Sequence, residues 1–186
     1  MLKTSILGRI SGIVTGLARD RRGVSAVEFA LLAPVMIGLY FGCAEIAIGV
    51  GTDRKVSLIS AALANLTAQA TTISTADMTN ILDASSAIIS PYDATKLKMT
   101  VTCISINASK VATVKWSVTR GGTAATGTIT IPSALAVANS TLILSQASYA
   151  YTPTVGYTIS GTLTLSDQMY MSPRISPPTY GTTTCT

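Results

Sequence analysis

Hydrophobic positions follow two regimes along this chain. From Phe29 to Ala44 no residue is charged, and the wider stretch from Val24 to Val50 is interrupted by charge only at Glu28 and Glu45. A bilayer core needs about 20 helical residues. The run therefore predicts one membrane-spanning helix, placed at 24–52. Beyond it, Val56, Ile59, Leu63, Leu66 and Ala70 recur at steps of three and four, the period of an amphipathic helix. This predicts a helical stem with one apolar stripe, and Asp53, Arg54 and Lys55 mark the junction between span and stem. A second helix is predicted from Ala76 to about Ile89, capped by Ser74 or Thr75 and ended by Pro91.

From residue 95 the period becomes two. The segments Lys96 to Cys103, Val111 to Thr119, Thr128 to Ile131, Thr141 to Thr152 and Tyr157 to Asp167 read as strands. In the second, Ala112, Val114, Trp116 and Val118 share one face. In the last, Tyr157, Ile159, Leu163 and Leu165 oppose Thr158, Ser160, Thr162 and Thr164. Alternation with one polar face predicts antiparallel strands packed on one side. Turns are expected at Arg120–Gly122 and Pro153–Gly156, and an irregular tail from Met171 to Thr186. The expected fold class is α+β, with a long N-terminal membrane-spanning helix leading into residues 53–186, an antiparallel sheet on a helical stem.

Charge refines this picture. The net charge is +5, but Lys3, Arg9, Arg19, Arg21 and Arg22 all precede the span and only Asp20 opposes them. Basic residues before a span place the N-terminus in the cytosol and the C-terminal part across the inner membrane, in the periplasm. Located this way, the charge does not argue for a nucleic-acid groove. With no histidine, the commonest general base and metal ligand is missing. There is no Ser–His pair, Gly-rich phosphate loop or acidic metal cluster, so the expectation is a chain that is not an enzyme and carries no cofactor or metal. Cys43 lies in the span and reads as a packing residue. Cys103 and Cys185 are left for the part beyond it. If that part is periplasmic, a disulfide between them is allowed; two free thiols are the other reading.

Several residues in and near the span carry chemistry. A carboxylate in a membrane helix costs about 2.5–3.5 kcal/mol at the bilayer centre and less near an edge. Glu28 therefore either faces a partner or snorkels to the inner headgroups beside Arg21 and Arg22. Pro34 lacks an N–H and clashes with the carbonyl of Ala30, predicting a kink or local loosening. Gly38 and Gly42 let another helix approach closely, if they are more than the glycines common in membrane helices. Glu45 is expected to pair with Arg54 or Lys55 or to lie in the outer headgroup layer.

The residues Gly23-Val24-Ser25-Ala26-Val27-Glu28-Phe29-Ala30-Leu31-Leu32-Ala33-Pro34, behind a basic leader, resemble the processing site of type IV pilin precursors. More narrowly they resemble the TadE-like pseudopilins of the tight-adherence (Tad/Flp) pilus. The resemblance implies cleavage between Gly23 and Val24 by a prepilin peptidase, removing residues 1–23. It implies that Glu28 meets the new α-amino group of a neighbouring subunit. It also implies a minor pilin acting by helix packing and domain contact, with the peptidase, sister pseudopilins, the major Flp pilin and the inner-membrane pilus platform as partners. Trp116-Ser117, Ile131-Pro132, Tyr149-Ala150-Tyr151-Thr152-Pro153 and Ser172-Pro173-Arg174 look like further landmarks of that family. The alternative is a single-pass anchored periplasmic binding domain or adhesin with no pilus role.

Overall fold

The structure is a computed structural model that describes residues 23–153 and 161–186. The leader before Gly23, the Pro153–Gly156 turn and the positions of Tyr157 and Ile159 lie outside or only partly within those residues. Helix α1 runs Val24–Gln69 over 46 residues and continues through Pro34 without a break. At 1.5 Å per residue it is about 69 Å long. The chain divides into two units, one ending at Ala44 and the other covering Glu45–Thr186.

In the first unit the apolar side chains have nothing to pack on. Phe29, Leu31, Leu39 and Tyr40 are all exposed, and the stretch is long and apolar enough to cross a membrane. Such a helix needs lipid or another helix around it.

In the second unit, α1 is followed by β1 (Thr72–Ile73) and α2 (Thr75–Ser86). Then come β2 (Leu97–Ile106), β3 (Ala112–Arg120), β4 (Thr128–Ile129), β5 (Ser140–Tyr151), β6 (Leu163–Met171), β7 (Thr179–Tyr180) and β8 (Thr183–Thr184). Ser74 starts α2 with a capping box: its hydroxyl accepts from the Asp77 N–H, and its own N–H donates to the Asp77 carboxylate. The helix gives way to a 3₁₀ turn at Ala87–Ile89 before Pro91. The main sheet is antiparallel in the order β4-β3-β2-β5-β6.

The sheet packs on the stem through the odd positions of its central strands. Leu97, Met99, Val101 and Cys103 of β2, with Ile143, Ala147, Tyr149 and Tyr151 of β5, meet Val56, Ile59, Leu63 and Ala68 of α1 and Met78 and Leu82 of α2. Each fully buried aliphatic side chain contributes about 1.5–3 kcal/mol. The stem stripe differs from expectation in its upper half. Ser60, Ala64, Thr67 and Ala68 are buried, whereas Leu66 stays exposed and Ala70 falls beyond the helix. Small residues let the sheet approach the helix closely, and Leu66 points away.

The other face of the sheet is also partly covered, which corrects the one-sided reading. Ile104, Ile106, Ala112, Leu142 and Leu144 form a second apolar cluster under Ile129, Ile131, Leu135 and Tyr170. Thr100 and Thr102 on this face are buried and pair with the hydroxyls of Thr119 and Ser117 at 3.0 and 2.8 Å. A bulge explains why β3 serves both clusters. Cys103 pairs with Trp116, but its neighbour Ile104 pairs with Val114, so Lys115 is an extra residue. Trp116 and Val118 face the stem, while Ala112 and Val114 face the opposite side. The four do not share one face as the alternation suggested.

The tail is not irregular throughout. β7 pairs in parallel with β1 and antiparallel with β8, making a small sheet of order β1-β7-β8. The Arg174 N–H donates to the carbonyl of Ala68 at 2.9 Å, and its guanidinium reaches Asn65 Oδ1 at 2.7 Å. The freed Ala68 carbonyl at the end of α1 thereby finds a donor from the tail.

Candidate functional site

Gly23 precedes the first residue of α1, and a Cβ built there would meet nothing within 4 Å. Val24 opens the helix and Glu28 follows one turn later; both are exposed. At four-residue spacing the two lie on the same side of the helix. Pro34, Gly38 and Gly42 begin six residues beyond Glu28 and are four apart from one another, forming a ridge of their own in the unit that ends at Ala44. Gly38 and Gly42 are half-buried and Cys43 is an exposed free thiol. Glycine on such a ridge removes the side chains that would hold a neighbouring helix away.

In the sheet-bearing unit, Cys103 and Cys185 are joined as a disulfide with Cα atoms 6.0 Å apart. Both are fully buried. Around the bridge, Thr141 donates its hydroxyl to the Cys185 carbonyl at 2.9 Å, and the Trp116 indole N–H donates to the Pro178 carbonyl at 3.3 Å. The Trp116 and Tyr180 rings lie 5.6 Å apart. The tail is therefore fixed to β2 by the covalent link, to β5 by the Thr141 hydrogen bond, and to β3 by the Trp116 hydrogen bond and ring contact.

The start of this unit holds a group of polar residues in an apolar setting. Glu45 is 3% exposed. Burial pushes the Tyr151 phenol above its ordinary range, and the nearby Tyr92 and Glu45 push the same way. Burial likewise raises Tyr149, with Asp93 as the next cause. Lys55 donates to the carbonyls of Ile88 and Ser90, and its ammonium lies 5.7 Å from the ring centre of Tyr92. Nothing in the sequence pattern marked these carbonyls as its partners, because they belong to the 3₁₀ turn and the residue after it.

Open grooves among the described residues include two on this unit of contrasting character. One, of about 490 Å³, is polar and lined by Lys98, Thr100, Gln146, Ser148, Ser166 and Gln168, among others. The other, of about 360 Å³, is apolar and lined by Ile46, Gly49, Val50, Asp53, Leu163 and Leu165. Among the described residues, no three His, Cys, Asp or Glu side chains come together as a metal site would require.

Comparison with known proteins gives a family match over part of the chain. No curated protein and no solved structure matches the chain. The family described as TadE-like protein matches residues 23–70. Those residues include Gly23, Glu28, Pro34, Gly38, Gly42 and the stem, while the later stretches around Trp116, Pro132, Tyr149 and Pro173 lie beyond the match. The TadE-like family is one of Tad pilus-associated proteins, and residues 23–70 of this chain are its TadE-like segment.

Proposed function

We propose that the chain is a minor pilin, or pseudopilin, that takes part in assembly of a tight-adherence pilus. Residues 1–23 form a leader that a prepilin peptidase removes after Gly23, leaving Val24 as the mature N-terminus. Residues 24–52 anchor the protein in the inner membrane with its N-terminus in the cytoplasm. Residues 53–186 form the periplasmic domain. The observation that carries this reading is the placement of Glu28 one turn after Val24 at the head of an exposed apolar helix. An acid at that depth is costly unless it is met by positive charge. The α-amino group that cleavage creates on a neighbouring copy or sister subunit supplies that charge. The ridge of Pro34, Gly38 and Gly42 then gives the neighbouring helix a place to pack. The protein acts by these contacts and not by catalysis. Its partners are the peptidase, sister pseudopilins, the major Flp pilin and the membrane platform.

Two measurements test this. Intact mass from cells that contain the peptidase should give a chain beginning at Val24; a chain beginning at Met1 would overturn the processing step. Glu28→Ala should insert normally but lose co-purification with the pilus components; unchanged co-purification would remove the role given to the acid.

A further inference from the structure

The apolar groove beside Leu163 has a position along α1 that says what covers it. Counting about 20 helical residues from Phe29, the first residue beyond Glu28, ends the hydrocarbon near Ile48. Ile46 then lies in the last apolar turn, Gly49 and Val50 at the boundary, and Asp53 among the headgroups. The start of β6 and the end of β5 are packed at this level. Leu163 and Leu165 line the groove with Ile46, Gly49, Val50 and Asp53. Tyr151, paired with Leu163 across the hairpin, lies 3.8 Å from a Cβ position at Gly49. Leu163 is 43% exposed, Ile46 50% and Val50 51%, so the three make one continuous apolar surface open to the outside. Tyr151 is itself only 5% exposed, so it supports Leu163 as a packed cross-strand neighbour. Asp53, on the span-distal side of the groove, suits the ammonium of an ethanolamine headgroup. These residues all belong to the unit Glu45–Thr186, so the sheet cannot leave this level without detaching from the stem.

We propose that this end of the sheet is a membrane-contact surface. Leu163, backed by Tyr151, rests in the headgroup layer beside Ile46 and Val50. The domain thus touches the lipid that α1 crosses instead of standing clear of it. The inference rests on the reading of α1 as a membrane anchor.

The test uses the full chain with Cys43→Ser, reconstituted in vesicles of phosphatidylethanolamine and phosphatidylglycerol. A fluorophore is attached at Leu163→Cys, or at the exposed neighbour Thr164→Cys as a second reporter of the same level. Ile175→Cys is the reference: it follows Arg174, whose N–H is on Ala68, roughly 28 Å along the helix from Gly49. Nitroxide carried on the lipid headgroup or high on the acyl chain should remove most of the signal at 163 and 164 and leave 175 bright. A water-soluble quencher should do the reverse. If 163 and 164 respond as 175 does, the surface is not lipid-bound and the proposal fails. If they are shielded from both quenchers, a protein covers the groove and the proposal also fails. A label at Leu39→Cys separates the two readings: quenching there by deep-chain nitroxide shows the anchor inserted, whatever happens at 163.

Discussion

Ser145 on β5 donates its hydroxyl to the main-chain carbonyl of Ser60 on α1 at 2.6 Å, with both residues fully buried. Ser60 in turn donates its own hydroxyl to the Ser57 carbonyl at 2.9 Å and lies 3.4 Å from the Asp167 carboxylate on β6. This polar seam fixes how the sheet is placed on the helix, in a core otherwise held by non-directional apolar contact. Ser145→Ala should lower stability by about 1 kcal/mol, the usual worth of one such bond. In thermal unfolding of the detergent-solubilised chain that corresponds to about 2–4 °C. A change within error would mean that packing alone sets the placement.

The two faces of the sheet should be equally intolerant of cavities. Ile104 belongs to the outer cluster and Ile143 to the cluster on the stem, and both are fully buried. Truncating either to alanine should cost about 2–5 kcal/mol. A sheet buried on one side only would lose stability at Ile143 and hardly at all at Ile104. Denaturant unfolding of the two variants distinguishes these cases.

The disulfide closes a separation of 82 residues. In the chain-entropy account a loop of this size is stabilised by on the order of 4 kcal/mol. Cys103→Ser with Cys185→Ser should therefore show a clearly lowered unfolding midpoint. Limited proteolysis should then cut first in the tail, where the two-residue ladders of β7, the Thr141 and Trp116 hydrogen bonds and the Arg174 contacts remain without a covalent link. A cut elsewhere first would show that the tail is held without the bridge.

Acid and alkaline limits should have different causes. The Ser74 hydroxyl, and then its backbone N–H, hold the Asp77 carboxyl below its usual range; Thr95 does the same for Asp93. A lowered folded-state pKa adds stability above the unfolded carboxylate range, about pH 4, and that stability is lost as pH falls through the lowered value. Thermal unfolding followed downward through that range should flatten in an Asp77→Asn, Asp93→Asn variant. Tyr149 and Tyr151 have the opposite sign, because burial raises both. Their contribution is complete below the ordinary phenol pKa, about 10, and disappears as pH rises through the raised values. Phenolate absorbance should accordingly show a late class of tyrosines, lost in the Tyr149→Phe, Tyr151→Phe variant.

Long periodic features were legible in the sequence. The apolar run of α1, the Ser74 cap of α2 and the existence of the strands follow from spacing and local chemistry, since these signals lie within a few residues of one another. Three features were not legible, each for a physical reason. The bulge at Lys115 is one residue of slip in an otherwise regular alternation, and only the partner strand shows it. Burial of Thr100 and Thr102 depends on the residues that cover them and on Ser117 and Thr119 across the ladder. The pairing of β7 with β1 joins two-residue segments more than a hundred positions apart, too short to leave a periodic signal. At the candidate site, Gly23 and Glu28 could be named from the motif, but Lys55 on the 3₁₀ turn and Arg174 on Ala68 required the fold.

The double coverage of β2 has a genetic consequence. Of its ten residues only Lys98 is exposed and Ser105 half-buried, whereas β6 alternates between half-buried and exposed positions over Leu165–Met169. Saturation mutagenesis scored by survival of the folded chain should give an almost unbroken block of rejected changes along β2, threonines included. Along β6 the same scan should accept every second position. Drift in such a protein is channelled to the outer strands, and the central one is left as its least changeable segment.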